Sequence, residues 1–352
     1  MIAPRLGGFD FRSNSIGFLR LLFALVVVWS HAYSIGGLGA DPVVWLTRGV
    51  QSAGTLAVGG FFVLSGFLIA RSYESARSLA IFLWHRFLRI FPGYWTCLAL
   101  TAFAIVPMMM YARHDSVTAE YFHNSLTYVA RNALLINFQL TVGSVIKDLP
   151  EAYTINGSLW TLPVEFACYL LIGAFGVVGL LGKSARLEIF ALLGCLFAVA
   201  FCDIRGINPG TPTLQALALF AYFLAGACLY TNRKIVPIRP WLAVAALLGA
   251  TISLYVDPAG VTLILFGSYL VLYVSGTALC LNFDRTIDLS YGVYIYAFPV
   301  QQLLVTMGVE RAGFLWFFFL TLVVTIPTAF LSWILVEKPC LSLKNVGAPS
   351  MR

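Results

Sequence analysis

Arg20 and His31 stand eleven residues apart in RLLFALVVVWSH (20–31), with ten uncharged residues between them. On a helix, eleven steps of about 100° make three turns plus about 20°. Both side chains therefore share one face, about 16 Å apart along the axis. An ionisable group inside so apolar a run costs about 2.5–3.5 kcal/mol or more and commonly lines a functional cavity. A neutral imidazole there can take a proton as a general base or carry an acyl group. Plainer roles exist for each. Arg20 can snorkel from a helix end to lipid phosphates, and His31 can make an interhelical hydrogen bond.

Three further stretches hold chemistry. GGFFVLSGFLI (59–69) carries Ser65 and Gly66, small residues that permit close backbone approach. HRFLRIFPGYW (85–95) places Arg86 and Arg89 three residues apart on one helix face. With Arg20 they form a cationic mouth suited to a phosphate-rich ligand. NGSLWTLPVEF (156–166) brings Glu165 to a depth comparable with His31. A carboxylate beside an imidazole fixes its tautomer and raises its basicity. Glu165 is equally open to a structural pairing elsewhere.

The elements that must position these residues are membrane helices. The chain is 60% hydrophobic, 15% aromatic and only 11% charged, with a mean hydropathy of +0.88. Soluble chains carry about 25% charged residues. Apolar stretches of near-membrane length recur throughout, as a core of about 30 Å requires, and no period-two alternation marks a membrane barrel. The expectation is an all-α polytopic bundle with spans near 16–35, 54–71, 87–110, 160–181, 187–203, 213–231, 240–256, 259–281, 287–307 and 313–336.

With the N-terminus inside, the outer segments hold only Arg48, Arg113, Arg131, Lys147, Arg205 and Arg311, six of the twenty-two Lys and Arg. The positive-inside rule then puts both termini in the cytoplasm. The net charge of +7 is a topology signal and calls for no nucleic-acid partner. A cleaved signal peptide is not expected, because cleavage after SIGGLGA would discard His31.

No linker or internal repeat divides the chain. Residues 1–15 form a cytoplasmic segment, 16–338 the transmembrane domain and 339–352 a cytoplasmic tail. The long outer stretch 111–159 includes YVARNALLINFQL (128–140), which suits a short interfacial or re-entrant helix. It is either an acceptor-facing surface or a plain connector. The seven cysteines show no CxxC or Cys/His ligand spacing and read as packing residues, so no metal is expected. Asn156-Gly157-Ser158 matches a glycosylation sequon, a weak three-residue signal.

Taken in order, Arg20-x10-His31, FFVLSGFLI (61–69), RFLRIFP (86–92), SLWTLPVEF (158–166) with Tyr169, LSYGVYIYAFP (289–299) and Glu337-Lys338-Pro339 resemble the acyltransferase-3 family of membrane-bound acyltransferases over nearly the whole chain. The resemblance implies transfer of an acyl group, usually acetyl from acetyl-CoA, to a hydroxyl of a sugar or glycolipid at the outer face of a bacterial inner membrane. It implies Arg20 and His31 as the essential pair, Arg86 and Arg89 on the donor side, and Glu165 as the acidic residue of the tryptophan–glutamate motif. LSYGVYIYAFPVQQ looks most like the subset acting on O-antigens and exopolysaccharides.

Two departures matter. Ala297 stands where many relatives carry a second histidine, and Gly59 where many carry an acid two positions before the double phenylalanine. The catalytic burden then falls on His31, with Glu165 left to tune it. No soluble hydrolase-like extension follows the last span, so transfer is expected to finish within the membrane domain. The expected partners are acyl-CoA, a surface polysaccharide or lipid-linked glycan, and the lipid bilayer. A transporter is the rival from another class; peptidoglycan, a membrane glycolipid or a small molecule are rival acceptors.

Overall fold

A computed structural model describes residues 5–135, 139–178, 186–205, 211–256, 260–277 and 287–345. Among these the chain is helical, with a single isolated antiparallel bridge between Arg5 and Pro237. In chain order the α-helices are α1 (Ile16–Ile35), α2 (Pro42–Leu46), α3 (Ala53–Glu74), α4 (Leu79–Leu100), α5 (Val106–Ala112), α6 (Ala119–Asn132) and α7 (Thr161–Val177). They continue as α8 (Arg186–Ile204), α9 (Thr211–Thr231), α10 (Pro240–Val256), α11 (Val261–Ser275), α12 (Ser290–Thr306), α13 (Phe314–Ser332) and α14 (Lys338–Ser342).

Each of the ten expected spans falls on one of these helices, although 179–181, 259 and 278–281 lie outside the described residues. Among the described residues, six helical segments are long and apolar enough to cross a membrane: Ile16–Ile35, Ala53–Glu74, Leu79–Ala112, Gly157–Val177, Pro212–Thr231 and Phe314–Ser342. α10 and α11 are apolar but only 17 and 15 residues long, against the roughly 20 that a 30 Å core needs.

Two segments are longer than expected. The third span is a 34-residue helix from Leu79, so HRFLRIFPGYW lies within it and Pro92 is internal. The last runs 29 residues to Ser342 and contains Glu337-Lys338-Pro339. Proline removes a backbone donor and crowds the preceding turn. Here the strain is absorbed by π-helical turns at Thr101–Ile105, just before Pro107, and at Trp333–Glu337, just before Pro339.

The helix expected within 128–140 sits earlier, at Ala119–Asn132. Thr118 sets its start by accepting the Tyr121 N–H at 3.2 Å. Asn132 ends it by exchanging hydrogen bonds with the Gln139 backbone. Residues 136–138 lie outside the described residues.

The helices form two compact units that interleave along the chain. The first comprises Met1–Phe23, Pro42–Leu83 and Val164–Thr286, and the second Ala24–Asp41, Trp84–Pro163 and Ile287–Arg352. In the first, α3 and α9 touch backbone to backbone. A Cβ on Gly66 would lie 1.9 Å from the Phe223 carbonyl oxygen, and one on Gly226 would lie 2.1 Å from that of Val63. Small residues at such crossings replace the hydrophobic drive that lipid removes.

In the second unit α12 is the hub, buried from Ser290 to Val305. Gly292 lets α13 approach, since a Cβ there would meet Ala329 at 2.8 Å. Polar anchors fix α12: Gln301 Nε2 donates to the Val28 carbonyl at 2.9 Å, and Tyr291 donates to that of Ile90 at 2.8 Å.

Candidate active site

Four of the expected site residues fall in the first unit. Arg20 is half-buried on α1, which is unbroken from Ile16 to Ile35 and so carries both Arg20 and His31. Ser65 and Glu165 come together, Ser65 Oγ donating to Glu165 Oε1 at 3.4 Å. The buried Tyr169, one helical turn after Glu165, donates its hydroxyl to the same oxygen. Gly66 is the α3 residue against which Phe223 packs, a structural contact. A Cβ on Gly59 would lie 2.9 Å from the Tyr222 ring, so a side chain there would require that ring to move.

The other three fall in the second unit. His31, half-buried, packs against Phe298 of α12 with ring centroids 5.1 Å apart at 77°. This contact joins the histidine to the LSYGVYIYAFP segment. Elsewhere on that helix, Tyr294 and Thr161 share a 2.7 Å hydrogen bond, and Tyr296 donates to Ser332 Oγ at 3.0 Å. Ser332 in turn donates to the buried Glu337 at 3.1 Å. Ala297 is buried.

Arg89 is committed to an ion pair, Nη2 to Asp288 Oδ2 at 2.5 Å, with both side chains largely buried. Asp288 also accepts the N–H and Oγ of Ser290, at 3.1 and 2.6 Å, and so caps the start of α12. Arg89 thereby ties the arginine motif of α4 to the motif helix. Arg86 and Arg89 have a third cation for company. Lys344 is pushed down to about 8, first by burial and then by the charges of Arg86 and Arg89. Its carbonyl accepts from His85 at 3.3 Å, and the adjacent Leu343 carbonyl from Trp84 Nε1 at 3.5 Å.

His85 thus lies inside the long helix of which α4 is the first part. The helix starts eight residues before the expected span, at Leu79. The sequon is not a surface feature: Asn156 is buried, donating to the Ile295 carbonyl at 2.8 Å and accepting the Ser158 N–H at 3.2 Å.

Sequence reasoning missed Asp41, Asp288 and Lys344. Asp288 had a readable signal, since Asp two residues before Ser at a helix start is a capping pattern. Asp41 is 3% exposed, and Ser30 Oγ donates to its Oδ2. Among the described residues no group of three or more His, Cys, Asp or Glu could hold a metal ion.

Chemically, a lone histidine on a motif helix interface and a basic cluster with a positive field suit acyl transfer from a phosphate-bearing donor. The comparisons agree on the reaction class. A family model described as an acyltransferase domain matches residues 13–334. An O-acetyl transferase of Shigella phage Sf6 is 30% identical over 340 residues, covering 93% of this chain and 96% of that protein. Nodulation protein 10 of Rhizobium leguminosarum bv. viciae is 30% identical over 353 residues, covering 94% of each chain. No solved structure gives a significant match. The chain belongs to the acyltransferase-3 family of membrane proteins and is an O-acyltransferase.

Proposed function

We propose that this enzyme moves an acyl group, most simply acetyl, from cytoplasmic acyl-CoA to a hydroxyl of a cell-surface polysaccharide or lipid-linked glycan. It would do so as a ten-span protein of a bacterial inner membrane, with both termini cytoplasmic. The observation that carries the reading is His31, set within an apolar helix against Phe298 of the motif helix. The similarity to a protein named O-acetyl transferase supports acetyl as the group and oxygen as its destination.

Acyl-CoA supplies the activated thioester. Arg20, Arg86 and Arg89 are assigned to its phosphates, and Arg89 is held by its ion pair to Asp288. Ser65 and Gly66 belong to the donor path, Ser65 as a hydroxyl held by Glu165 and Gly66 by permitting the α3–α9 crossing. His31 takes the proton of the acceptor hydroxyl as that oxygen bonds to the acyl carbon. The carbon–sulfur bond breaks, and the proton passes from His31 to the departing thiolate. If His31 instead carries the acyl group, its ring nitrogen bonds the acyl carbon as the carbon–sulfur bond breaks and the thiolate leaves. The acceptor oxygen then bonds that carbon as the nitrogen–carbon bond breaks, its proton passing to the freed imidazole, and the kinetics become ping-pong. Glu165, which binds Ser65 and Tyr169, is a positioning carboxylate in this scheme.

Membership of an acyltransferase family displaces the transporter reading. Acetyl-CoA binding to the purified protein in nanodiscs tests the proposal. Saturable binding, competed by CoA, is the expected result. Absence of binding by folded protein would overturn the donor assignment.

A further inference from the structure

The end of α1 is built to turn the chain back on itself. Gly37 (φ +70°) and Gly39 (φ +86°) occupy the left-handed region that glycine tolerates. The Leu38 N–H reaches the Tyr33 carbonyl at 2.8 Å and the Gly37 N–H that of Ser34 at 3.2 Å, closing the helix with its orphan carbonyls satisfied. Pro150 packs over the turn, 3.1 Å from where a Cβ on Gly37 would lie. The outcome is specific. Asp41, eleven residues after Ser30 in sequence, returns so that Ser30 Oγ donates to its carboxylate.

This carboxylate is buried at 3% exposure and Ser30 at 8%. Burying an ionised carboxylate is costly unless hydrogen bonds and charge compensate it. The residue after Ser30 is His31. The turn therefore holds a buried carboxylate on the residue next to the one group that must become cationic during transfer.

We propose that Asp41 is the positioning residue of His31, its buried carboxylate held by Ser30 and stabilising the imidazolium formed when His31 accepts the acceptor's proton. The proton moves only between the acceptor oxygen, His31 and the departing thiolate. An acyl-histidine, also cationic, would be stabilised in the same way. The proposal rests on the reading of His31 as the reacting group and adds the charge that supports it. It also supplies a tuning acid, which Gly59 does not.

Asp41→Asn keeps the shape and an oxygen for Ser30 but removes the charge. The expected result is a kcat lowered about 10- to 100-fold, below the about 10²- to 10⁴-fold of a lost general base. KM for acetyl-CoA and the thermal midpoint should stay near wild type. Asp41→Glu should recover part of the lost kcat, and Ser30→Ala should lower kcat by less than Asp41→Asn. A merely structural Asp41 would instead lower the midpoint or yield in step with activity, overturning the proposal. Wild-type kcat in Asp41→Asn would overturn it as well. His31→Ala, assayed in parallel, separates the two readings: if it is inactive while Asp41→Asn is normal, only the Asp41 proposal fails, whereas an active His31→Ala removes the reading beneath it.

Discussion

Arginines gather in both units, but the two gatherings are built differently. In the first, Arg233 meets Glu74 at 3.0 and 3.2 Å, Tyr230 donates to the same carboxylate, and the Arg233 guanidinium lies 4.0 Å over the Tyr230 ring. Arg71 there sits 3.7 Å over the Phe11 ring, which stacks on Phe67. The cations are matched by an acid and by aromatic faces. In the second, Arg89 meets Asp288, and Lys344 joins Arg86 and Arg89 as a third cation. Acids and aromatic faces around cations hold helices together. A cluster of three cations prepares a place for an anion. The number of arginines does not distinguish a structural end from a donor site; what gathers around them does.

Removing a cation from each cluster should therefore have different consequences. Arg86→Ala should raise the dissociation constant for acetyl-CoA about tenfold or more, the loss of a charge-assisted bond of about 1.5–3 kcal/mol, with a thermal midpoint near wild type. Unchanged affinity by calorimetry would take Arg86 out of the donor site.

A smaller effect sharpens the same contrast. Lys344, held down to about 8, is charged below that pH and loses its proton above it. Affinity for acetyl-CoA should fall by a few fold between pH 7 and 9, and Lys344→Ala should flatten that profile. The stability term has the opposite sign. Between about 8 and the ordinary lysine value the unfolded chain binds more protons, so rising pH relieves the repulsion and stabilises the fold. A fall in affinity that persists in Lys344→Ala would assign the titration to another group.

The smallest effect belongs to the matched cluster. Arg233→Ala should leave acetyl-CoA affinity unchanged and cost up to about 1 kcal/mol, since Glu74 is half exposed and such pairs are screened. A weakened donor affinity in that variant, measured beside Arg86→Ala, would erase the distinction between the two regions.

What the sequence made legible was whatever depends on local period and composition. The apolar runs fell on helices, and the motif order pointed to the family. Pairings across the chain were not legible. Asp288 caps α12 and binds Arg89 from 199 residues away, a contact no periodicity encodes. Asp41 reaches Ser30 only through the backbone conformations of Gly37 and Gly39, and a string of glycines does not say which way the chain turns. Two helix ends were misjudged: the third helix starts at Leu79, eight residues before the expected span, and a π-turn lets the last helix run on through Pro339. The close approach of Gly66 to the Phe223 carbonyl was not legible either, because only the fold brings α9 against α3.

The central claim is that His31 is the reacting group of an acyl transfer. Its most direct test is incorporation of labelled acetyl from acetyl-CoA into surface polysaccharide, with membranes carrying wild-type protein or His31→Ala at matched expression. Label incorporated by the wild type and absent with His31→Ala is the predicted result. Equal incorporation by the two proteins would contradict it.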